Sequence, residues 1–231
     1  MNPGARRIGN GVGDVSPDAV LASLRRCDVT GPDRQPLTWE TYAPLVSWWL
    51  AYLQNQGDVG LSQQSSPCVV AVAGSVAVGK TMFARMLAWC CRHILGIDAV
   101  ACIHSDGFLY PNAVLESRGL SCRKGFPESY DWCALMLVLD HIQSGQAPVT
   151  YPVYDHVAYD VLDTPAQLET VPDVVLIEGV NMLQQRSEVM PDGRTLSLGD
   201  LLDLRLYLDA PLDAIRDGYL SLIHISEPTR P

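Results

Sequence analysis

The chain has 231 residues, of which 48% are hydrophobic and 18% charged, so it can bury a sizeable core and is not disordered as a whole. Sixteen basic residues against 26 acidic ones leave a net charge of −10. Because phosphate contacts require Lys and Arg, this charge disfavours nucleic acid as a main partner, although a small anion can still bind in a local basic pocket.

Two further features indicate where such a chain resides. It has no apolar run of the ~18–20 residues that a membrane span requires, and no apolar stretch follows the arginines near its N-terminus as in a signal peptide. Its seven cysteines have no metal-type spacing. We therefore expect a soluble protein of the reducing cytoplasm that has neither a membrane nor a nucleic acid as partner.

Hydrophobic patterning predicts helices in alternation with short buried strands. Residues 1–37 are predicted to be disordered or peripheral, apart from a short helical pattern after Asp18. Residues 38–56 carry the apolar stripe of an amphipathic helix, and CVVAVA (68–73) is typical of a strand covered on both faces. The later predicted elements are a helix at 80–95, a strand at 99–105, a helix at 132–144 and strands at 174–178 and 204–208. This order predicts an α/β fold with a mainly parallel sheet.

Polar groups follow each predicted strand at its carboxyl end, which is where an open parallel sheet binds its ligands. The first strand runs into the segment 74–81, the second into Asp106, the third into Glu178 and the fourth into Asp209. If the strands are parallel, these groups share one edge of the sheet and one crevice.

The segment after the first strand carries the most specific motif of the sequence. It fits G-x-x-x-x-G-K-[ST] between a strand and a helix, which is the context of a phosphate-binding loop. Its two glycines permit the tight backbone that points amides at phosphate oxygens. Lys80 supplies a cation for the β and γ phosphates, and the Thr81 hydroxyl can bind Mg²⁺. The predicted nucleotide-binding residues of this loop are Gly74, Ser75, Val76, Ala77, Val78, Gly79, Lys80 and Thr81.

Two acidic residues and an aromatic pair are further candidates, each with an alternative role. Asp106 can accept the proton of an attacking hydroxyl or help hold Mg²⁺, or it can simply cap its own turn. Glu178 follows the apolar run VVLI, which is a Walker B pattern. The pattern predicts that Glu178 contacts Mg²⁺ or its water, and the alternative is that Glu178 caps a helix. Tyr154 and His156 are two residues apart, so in an extended segment their side chains face the same way. This spacing is equally compatible with a pair that binds substrate and with a packed tyrosine beside a surface histidine. These residues predict a P-loop phosphotransferase or NTPase without naming its acceptor.

Several motifs together resemble the prokaryotic type I pantothenate kinases. They are AGSVAVGKT (73–81), SDGFLYPN (105–112), RGL and KGFPESYD within 118–131, PVYDHVAYDV (152–161) and LIEGVNML (176–183). The similarity covers about residues 38–219, and uridine kinase and phosphoribulokinase share the phosphate loop but neither GFPESYD nor PVYDH. The resemblance implies a P-loop kinase fold, with a mainly parallel sheet flanked by helices. It also implies transfer of the ATP γ-phosphoryl group to pantothenate with Mg²⁺, the first step of coenzyme A biosynthesis.

The resemblance further assigns roles residue by residue. Lys80 would stabilise the transferring phosphoryl group and Asp106 would be the base for the pantothenate hydroxyl, so these are the two expected catalytic residues. Arg85 matches an arginine that contacts coenzyme A phosphate. The residues expected to contact substrate or metal are Asp106, Tyr154, His156 and Tyr219 for pantothenate and Thr81 and Glu178 for Mg²⁺. Members of the family are typically cytoplasmic homodimers, inhibited by coenzyme A at a site that overlaps that of ATP.

The resemblance ends after Tyr219. The family continues with an arginine three residues later and a further C-terminal region, whereas this chain has Leu222 and closes with LSLIHISEPTRP (220–231). That string looks like a translated sequencing adapter, with a divergent natural tail as the alternative. We therefore expect a kinase domain at 38–219 that is incomplete at its C-terminus, followed by a non-native tail at 220–231.

The expected loss of that arginine has a functional consequence. Such a residue contributes about 10³ or more in rate, so we expect this chain to have little or no turnover. Two other readings stay open on the sequence. One is a non-catalytic module that binds ATP or coenzyme A, and the other is a small-molecule kinase like uridine kinase or phosphoribulokinase.

Overall fold

The computed structural model describes residues 16–24, 39–56 and 66–226, which form a parallel sheet covered on both faces. The strands of this sheet are β1 (Cys68–Gly74), β2 (Val100–His104), β7 (Val174–Gly179) and β10 (Leu204–Leu208). They are parallel throughout and lie in the order β10-β1-β7-β2. The two inner strands, β1 and β7, are buried along their whole length, which is why their sequences are continuous apolar runs. The predicted α/β fold with a parallel sheet is confirmed.

Helices cover the sheet and divide the core into two clusters. They are α1 (Pro17–Leu24), α2 (Trp39–Gln56), α3 (Lys80–Ile94), α4 (Asn112–Ser117), α5 (Trp132–Gln143) and α6 (Leu212–Ser226). The first three bury Trp49 and Phe83 against one face of the sheet, and α5 buries Met136 against the other. The predicted helices at 38–56, 80–95 and 132–144 agree with α2, α3 and α5 to within a residue, which is the usual uncertainty of a helix end.

The N-terminal part of the chain contributes to this core. Most of the segment 1–37, predicted to be disordered or peripheral, lies outside the described residues. Its described helix α1 packs on α2 and buries Val20 completely. Among the described helices, none combines the length and the apolar character needed to cross a bilayer.

Short antiparallel pairs of strands lie in the long connections between the strands of the main sheet. Between β2 and β7 lie β3 (Val149–Tyr151) with β6 (Ala166–Leu168), and β4 (Tyr154–Asp155) with β5 (Asp160–Val161). Between β7 and β10 lies a hairpin of β8 (Ser187–Val189) and β9 (Thr195–Ser197), followed by a 3₁₀ turn at Leu198–Leu201. The prediction that helices alternate with strands is wrong for the connection between β7 and β10. The reason is a Pro191-Asp-Gly193 turn, which reverses the chain before a helix can form.

Candidate active site

The loop between β1 and α3, residues 74–81, has the backbone of an anion cradle. Gly74, Ala77 and Gly79 have φ values of 154°, 65° and 89°, in a region that favours glycine. The loop leaves no room for a larger residue at its start, because a Cβ on Gly74 would lie 2.6 Å from the carbonyl oxygen of Leu208. A phosphate placed here would meet backbone N–H groups and the positive end of α3.

Lys80 opens α3 and reaches back over this loop. Its Nζ donates a hydrogen bond of 2.8 Å to the carbonyl oxygen of Ser75. Burial lowers the pKa of Lys80, while the carboxylates of Glu178 and Asp106 oppose that shift. The ammonium is therefore within electrostatic range of acids from two different strands. Because all four strands are parallel, the segments that follow them lie at one edge of the sheet, as predicted.

Glu178, near the end of β7, joins side chains from two other elements of the site. Its carboxylate is buried, with the residue 7% exposed. Oε1 accepts a hydrogen bond of 2.7 Å from the Thr81 hydroxyl and is 2.6 Å from Nδ1 of His104, which lies opposite Glu178 in the sheet register. Burial opposes ionisation of Glu178, but the hydrogen bonds to His104 and Thr81 outweigh it and hold the pKa of this carboxyl below its ordinary value. Both of these partners are side chains, so neither hydrogen bond is that of a helix cap, in which a side chain accepts from a backbone N–H.

Thr81 and Glu178 present the donor chemistry that Mg²⁺ prefers. This ion takes oxygen ligands, usually from one or two protein groups together with phosphate oxygens and water. A hydroxyl and a carboxylate joined at 2.7 Å beside the phosphate loop fit that pattern. Among the described residues no cluster of three or more His, Cys, Asp or Glu could hold a metal by itself. A cation at this position would therefore depend on nucleotide phosphates for its remaining ligands.

Asp106 lies at the end of β2, in a 3₁₀ turn formed by Ser105–Phe108. Its Oδ1 accepts a hydrogen bond of 3.2 Å from the hydroxyl of Tyr130, which is 3% exposed. Burial raises the pKa of Tyr130 and the nearby Asp106 charge raises it further, so the phenol stays protonated and can donate. An antiparallel bridge between Leu109 and Tyr130 joins the two segments. The sequence analysis did not predict the contact between Asp106 and Tyr130, although Tyr130 belongs to the GFPESYD motif.

The PVYDH segment packs directly on the Asp106 turn. A Cβ on Gly107 would lie 2.3 Å from the carbonyl oxygen of Pro152, so the two backbones touch. The rings of Tyr154 and His156 meet edge to face with their centroids 5.1 Å apart. Burial raises the pKa of Tyr154, and the carboxylate of Asp106 is among the charges that raise it further. The structure thus brings three of the predicted pantothenate residues together.

A lysine outside the predicted set anchors this pocket. Nζ of Lys124 donates hydrogen bonds of 2.6 Å to Oδ1 of Asn112 and to the carbonyl oxygen of Tyr159. The same ammonium lies 4.3 Å and 5.0 Å from the ring centroids of Tyr159 and Tyr154. Burial lowers the pKa of Lys124, while Asp160 and Asp106 oppose that shift. Three motif segments meet at this one cation, a convergence that no pattern in the sequence indicated.

The remaining predicted residues, Arg85 and Tyr219, lie at the rim. Arg85 is exposed on α3, one turn after Thr81, and its charge acts on His104. Tyr219 is 49% exposed on α6 and follows Gly218, where a Cβ would lie 3.0 Å from the carbonyl oxygen of Ala77 in the phosphate loop. Helix α6 therefore rests on that loop. Within the described residues, Tyr219 has no hydrogen bond or ring contact with the other predicted pantothenate residues.

Solved structures share this architecture. A candidate fructose transport system kinase from Silicibacter sp. TM1040 superposes with a TM-score of 0.62 and 26% sequence identity, covering 75% of this chain and 81% of that one. The YGR205w protein superposes with a TM-score of 0.58 at 14% identity, over 81% of this chain and 79% of that one. With the phosphate loop in its strand-to-helix context, these likenesses confirm the P-loop kinase fold.

Curated relatives give a sharper similarity, although no protein-family model matches the chain. A pantothenate kinase of Nocardioides sp. is 42% identical over 192 residues, which are 79% of this chain and 58% of that protein. Pantothenate kinases of Rhizobium rhizogenes and Vibrio cholerae are 45% and 38% identical, over 68% and 78% of this chain and 47% and 60% of those proteins. The expected resemblance to pantothenate kinases is confirmed. The chain spans about half to three-fifths of the length of these relatives.

Proposed function

We propose that the chain carries the nucleotide site and acceptor pocket of a pantothenate kinase, which transfers the γ-phosphoryl group of ATP to pantothenate and yields ADP and 4′-phosphopantothenate. The observation that carries the proposal is the convergence of the phosphate loop, Asp106 and the PVYDH segment at one edge of the sheet. The homology to pantothenate kinases supports this acceptor over the other acceptors of the fold.

The geometry suits catalysis by positioning and electrostatics, which is how phosphoryl transfer is generally accelerated. The loop amides and Lys80 hold the phosphates and offset the charge that develops on the transferring group. Asp106 accepts the proton of the attacking hydroxyl, and its bond to Tyr130 keeps the carboxylate aimed into the crevice. Thr81 and Glu178 would hold Mg²⁺, which when bound neutralises phosphate charge.

The acceptor pocket follows from the same arrangement. Tyr154 and His156 supply hydrogen-bonding groups next to Asp106, and Tyr219 on α6, the helix that rests on the phosphate loop, would add a further contact to pantothenate. Coenzyme A, the end product of the pathway, would compete with ATP through the exposed cation of Arg85. The working enzyme would be a cytoplasmic homodimer, a state that size-exclusion chromatography with light scattering can test.

A two-stage experiment tests the function. Calorimetry with ATP and Mg²⁺ is first run on the chain, on Lys80→Ala and on Arg92→Gln, which alters a cation on the last turn of the same helix. We expect ATP binding to be lost only in Lys80→Ala. Because little turnover is expected, transfer from labelled ATP is then followed with the protein in excess. Pantothenate, uridine and ribulose 5-phosphate are supplied as separate acceptors.

The proposal requires label to appear in pantothenate and to disappear in Asp106→Asn. Preferential labelling of uridine or ribulose 5-phosphate would contradict the acceptor assignment. ATP binding without transfer to any acceptor would favour the binding-module reading, and unchanged ATP affinity in Lys80→Ala would contradict the phosphate loop itself.

A further inference from the structure

His104 occupies a position that no predicted role explains. It is the last residue of β2, and the sheet register pairs it with Glu178 on β7. Its Nδ1 lies 2.6 Å from Oε1 of Glu178, while the side chain is 46% exposed and the glutamate side chain is only 8% exposed. A half-exposed imidazole thus reaches inward to a buried carboxylate beside the phosphate loop.

Both observed hydrogen bonds to Glu178 converge on a single oxygen. Oε1 accepts from the Thr81 hydroxyl and from His104. A carboxylate offers about four lone-pair sites on its two oxygens, so this double use of Oε1 leaves Oε2 available. Two donors arriving from different elements, one on α3 and one on β2, also fix the rotation of the carboxylate plane.

We propose that His104 is a positioning residue for the divalent cation that accompanies the nucleotide: it holds Glu178 so that the carboxylate presents its free oxygen to the cation or to the cation's water. The inference rests on the proposed function in one respect, which is that a metal–nucleotide complex binds at the phosphate loop. Hydrogen-bonded partners of metal ligands orient those ligands, and their loss typically weakens metal affinity by about 10–100-fold.

The ligand preference of Mg²⁺, rather than the hydrogen bond, argues against His104 as a ligand in its own right, since Nε2 of an imidazole protonated at Nδ1 still has a lone pair. To donate to a carboxylate, Nδ1 must carry its proton, which leaves that nitrogen no lone pair for a metal. Mg²⁺ itself prefers oxygen ligands. The Thr81 hydroxyl differs, because a hydroxyl that binds a cation through a lone pair still has its proton to donate to Glu178. The two donors to Oε1 therefore have different tasks, and only the one from β2 is purely orienting.

The charges around the pair are consistent with this role. His104 faces Glu178 on the neighbouring strand. Two further charges act on it, that of Asp106, two residues later in the chain, and that of Arg85 on α3. Lys80 acts on Glu178 from the start of the same helix. The acid is thus held between cations and hydrogen-bond donors on several sides, and His104 is the donor that reaches it from the neighbouring strand.

The test measures metal binding and not turnover. Mn²⁺ serves as a paramagnetic stand-in for Mg²⁺, and its affinity in the presence of saturating ATP is measured by electron paramagnetic resonance. The variants are His104→Leu, which has no donor, and His104→Asn, whose amide can replace the Nδ1–H donor. His93→Leu is the matched control, because His93 is exposed on α3 with Nδ1 2.9 Å from the carbonyl oxygen of Trp89.

We expect Mn²⁺ affinity to fall by about 10–100-fold in His104→Leu and to return to within about 3-fold of the original in His104→Asn. ATP affinity in EDTA should be unchanged in every variant, since the inferred role concerns the metal alone. Unchanged Mn²⁺ affinity in His104→Leu would overturn the inference. So would a loss of ATP affinity in EDTA equal to the loss seen with metal, because that result indicates a merely structural role.

A second measurement covers the case in which His104→Leu does not fold. Nitrogen-15 spectra of the unaltered protein report which imidazole nitrogen carries the proton. We expect the Nδ1–H form for His104, with a shift on adding Mg²⁺ to the ADP-bound protein and none for His93. Absence of that form, or of that shift, overturns the inference. Pantothenate plays no part in these experiments, so the inference about His104 does not depend on the acceptor assignment. Failure of the protein to bind Mn²⁺ together with ATP would refute the inference.

Discussion

The contact between Gly107 and Pro152 allows one prediction to be worked through from distances. A Cβ added at Gly107 would lie 2.3 Å from the Pro152 carbonyl oxygen, whereas ordinary contacts begin at 3.4 Å. The atoms that this Cβ would meet are all backbone atoms of Pro152 and Val153, so Gly107→Ala must push the PVYDH segment away by about 1 Å, the difference between these two distances. A misplacement of this size between reacting groups costs about 10²-fold in rate.

The predicted result separates the two halves of the site. Gly107→Ala should slow single-turnover transfer to pantothenate by about 10²-fold and weaken pantothenate binding by about 3–10-fold, the equivalent of one neutral hydrogen bond. ATP affinity should be unchanged, because the nearest atoms that the new Cβ would meet all belong to Pro152 and Val153 and not to the phosphate loop. The control is Gly199→Ala, whose Cβ would come closest to the end of the Arg205 side chain, at 3.0 Å, and whose nearest contacts include no backbone atom. A folded Gly107→Ala protein with unaltered pantothenate binding and transfer would refute the reasoning.

Three further predictions concern the groups around the site. Lys124→Met should increase proteolytic cleavage within residues 155–160 and Lys124→Arg should do so less, since the ammonium ties the carbonyl of Tyr159 to its neighbours. Asp131→Ala should lower the free energy of unfolding by about 1 kcal/mol in urea titrations, because Asp131 caps α5 by accepting from the N–H of Ala134. In metal-free buffer the Tm difference between the original protein and His104→Leu should be largest between pH 4.5 and 6.5, the ordinary pKa values of Glu178 and His104. It should decline as pH rises through the raised pKa of His104 or falls through the lowered pKa of Glu178, and a difference independent of pH would contradict the assigned bond.

Local signals in the sequence were sufficient for the parts of the fold that depend on short stretches of chain. The loop at 74–81 could be predicted because its glycines, lysine and threonine must be adjacent to act on one phosphate group. The buried strands could be predicted because a short apolar run such as VVLI, bounded by turn signals, is typical of a strand covered on both faces. The grouping of Asp106 with Glu178 followed from parallel strands alone.

The contacts missed by the sequence analysis all join segments far apart in the chain. The pairing of His104 with Glu178 requires β7 to lie next to β2, and strand order is not encoded in the pattern of either strand. The anchoring of three segments by Lys124 depends on loop conformations, for which the residue types give no rule. The hairpin between β7 and β10 was not predicted, although its Asp192-Gly193 turn is a local signal for one.

The strand order also determines how firmly each half of the site is held. The phosphate loop and Glu178 extend from β1 and β7, the inner strands, which have hydrogen-bonded neighbours on both sides. Asp106 extends from β2 at an edge, and Tyr154 from the two-residue strand β4. Amide hydrogen exchange should therefore be slowest beneath the nucleotide and progressively faster toward the acceptor. Such a gradient lets evolution remodel the peripheral segments, and with them the choice of acceptor, while the machinery that handles phosphate stays intact.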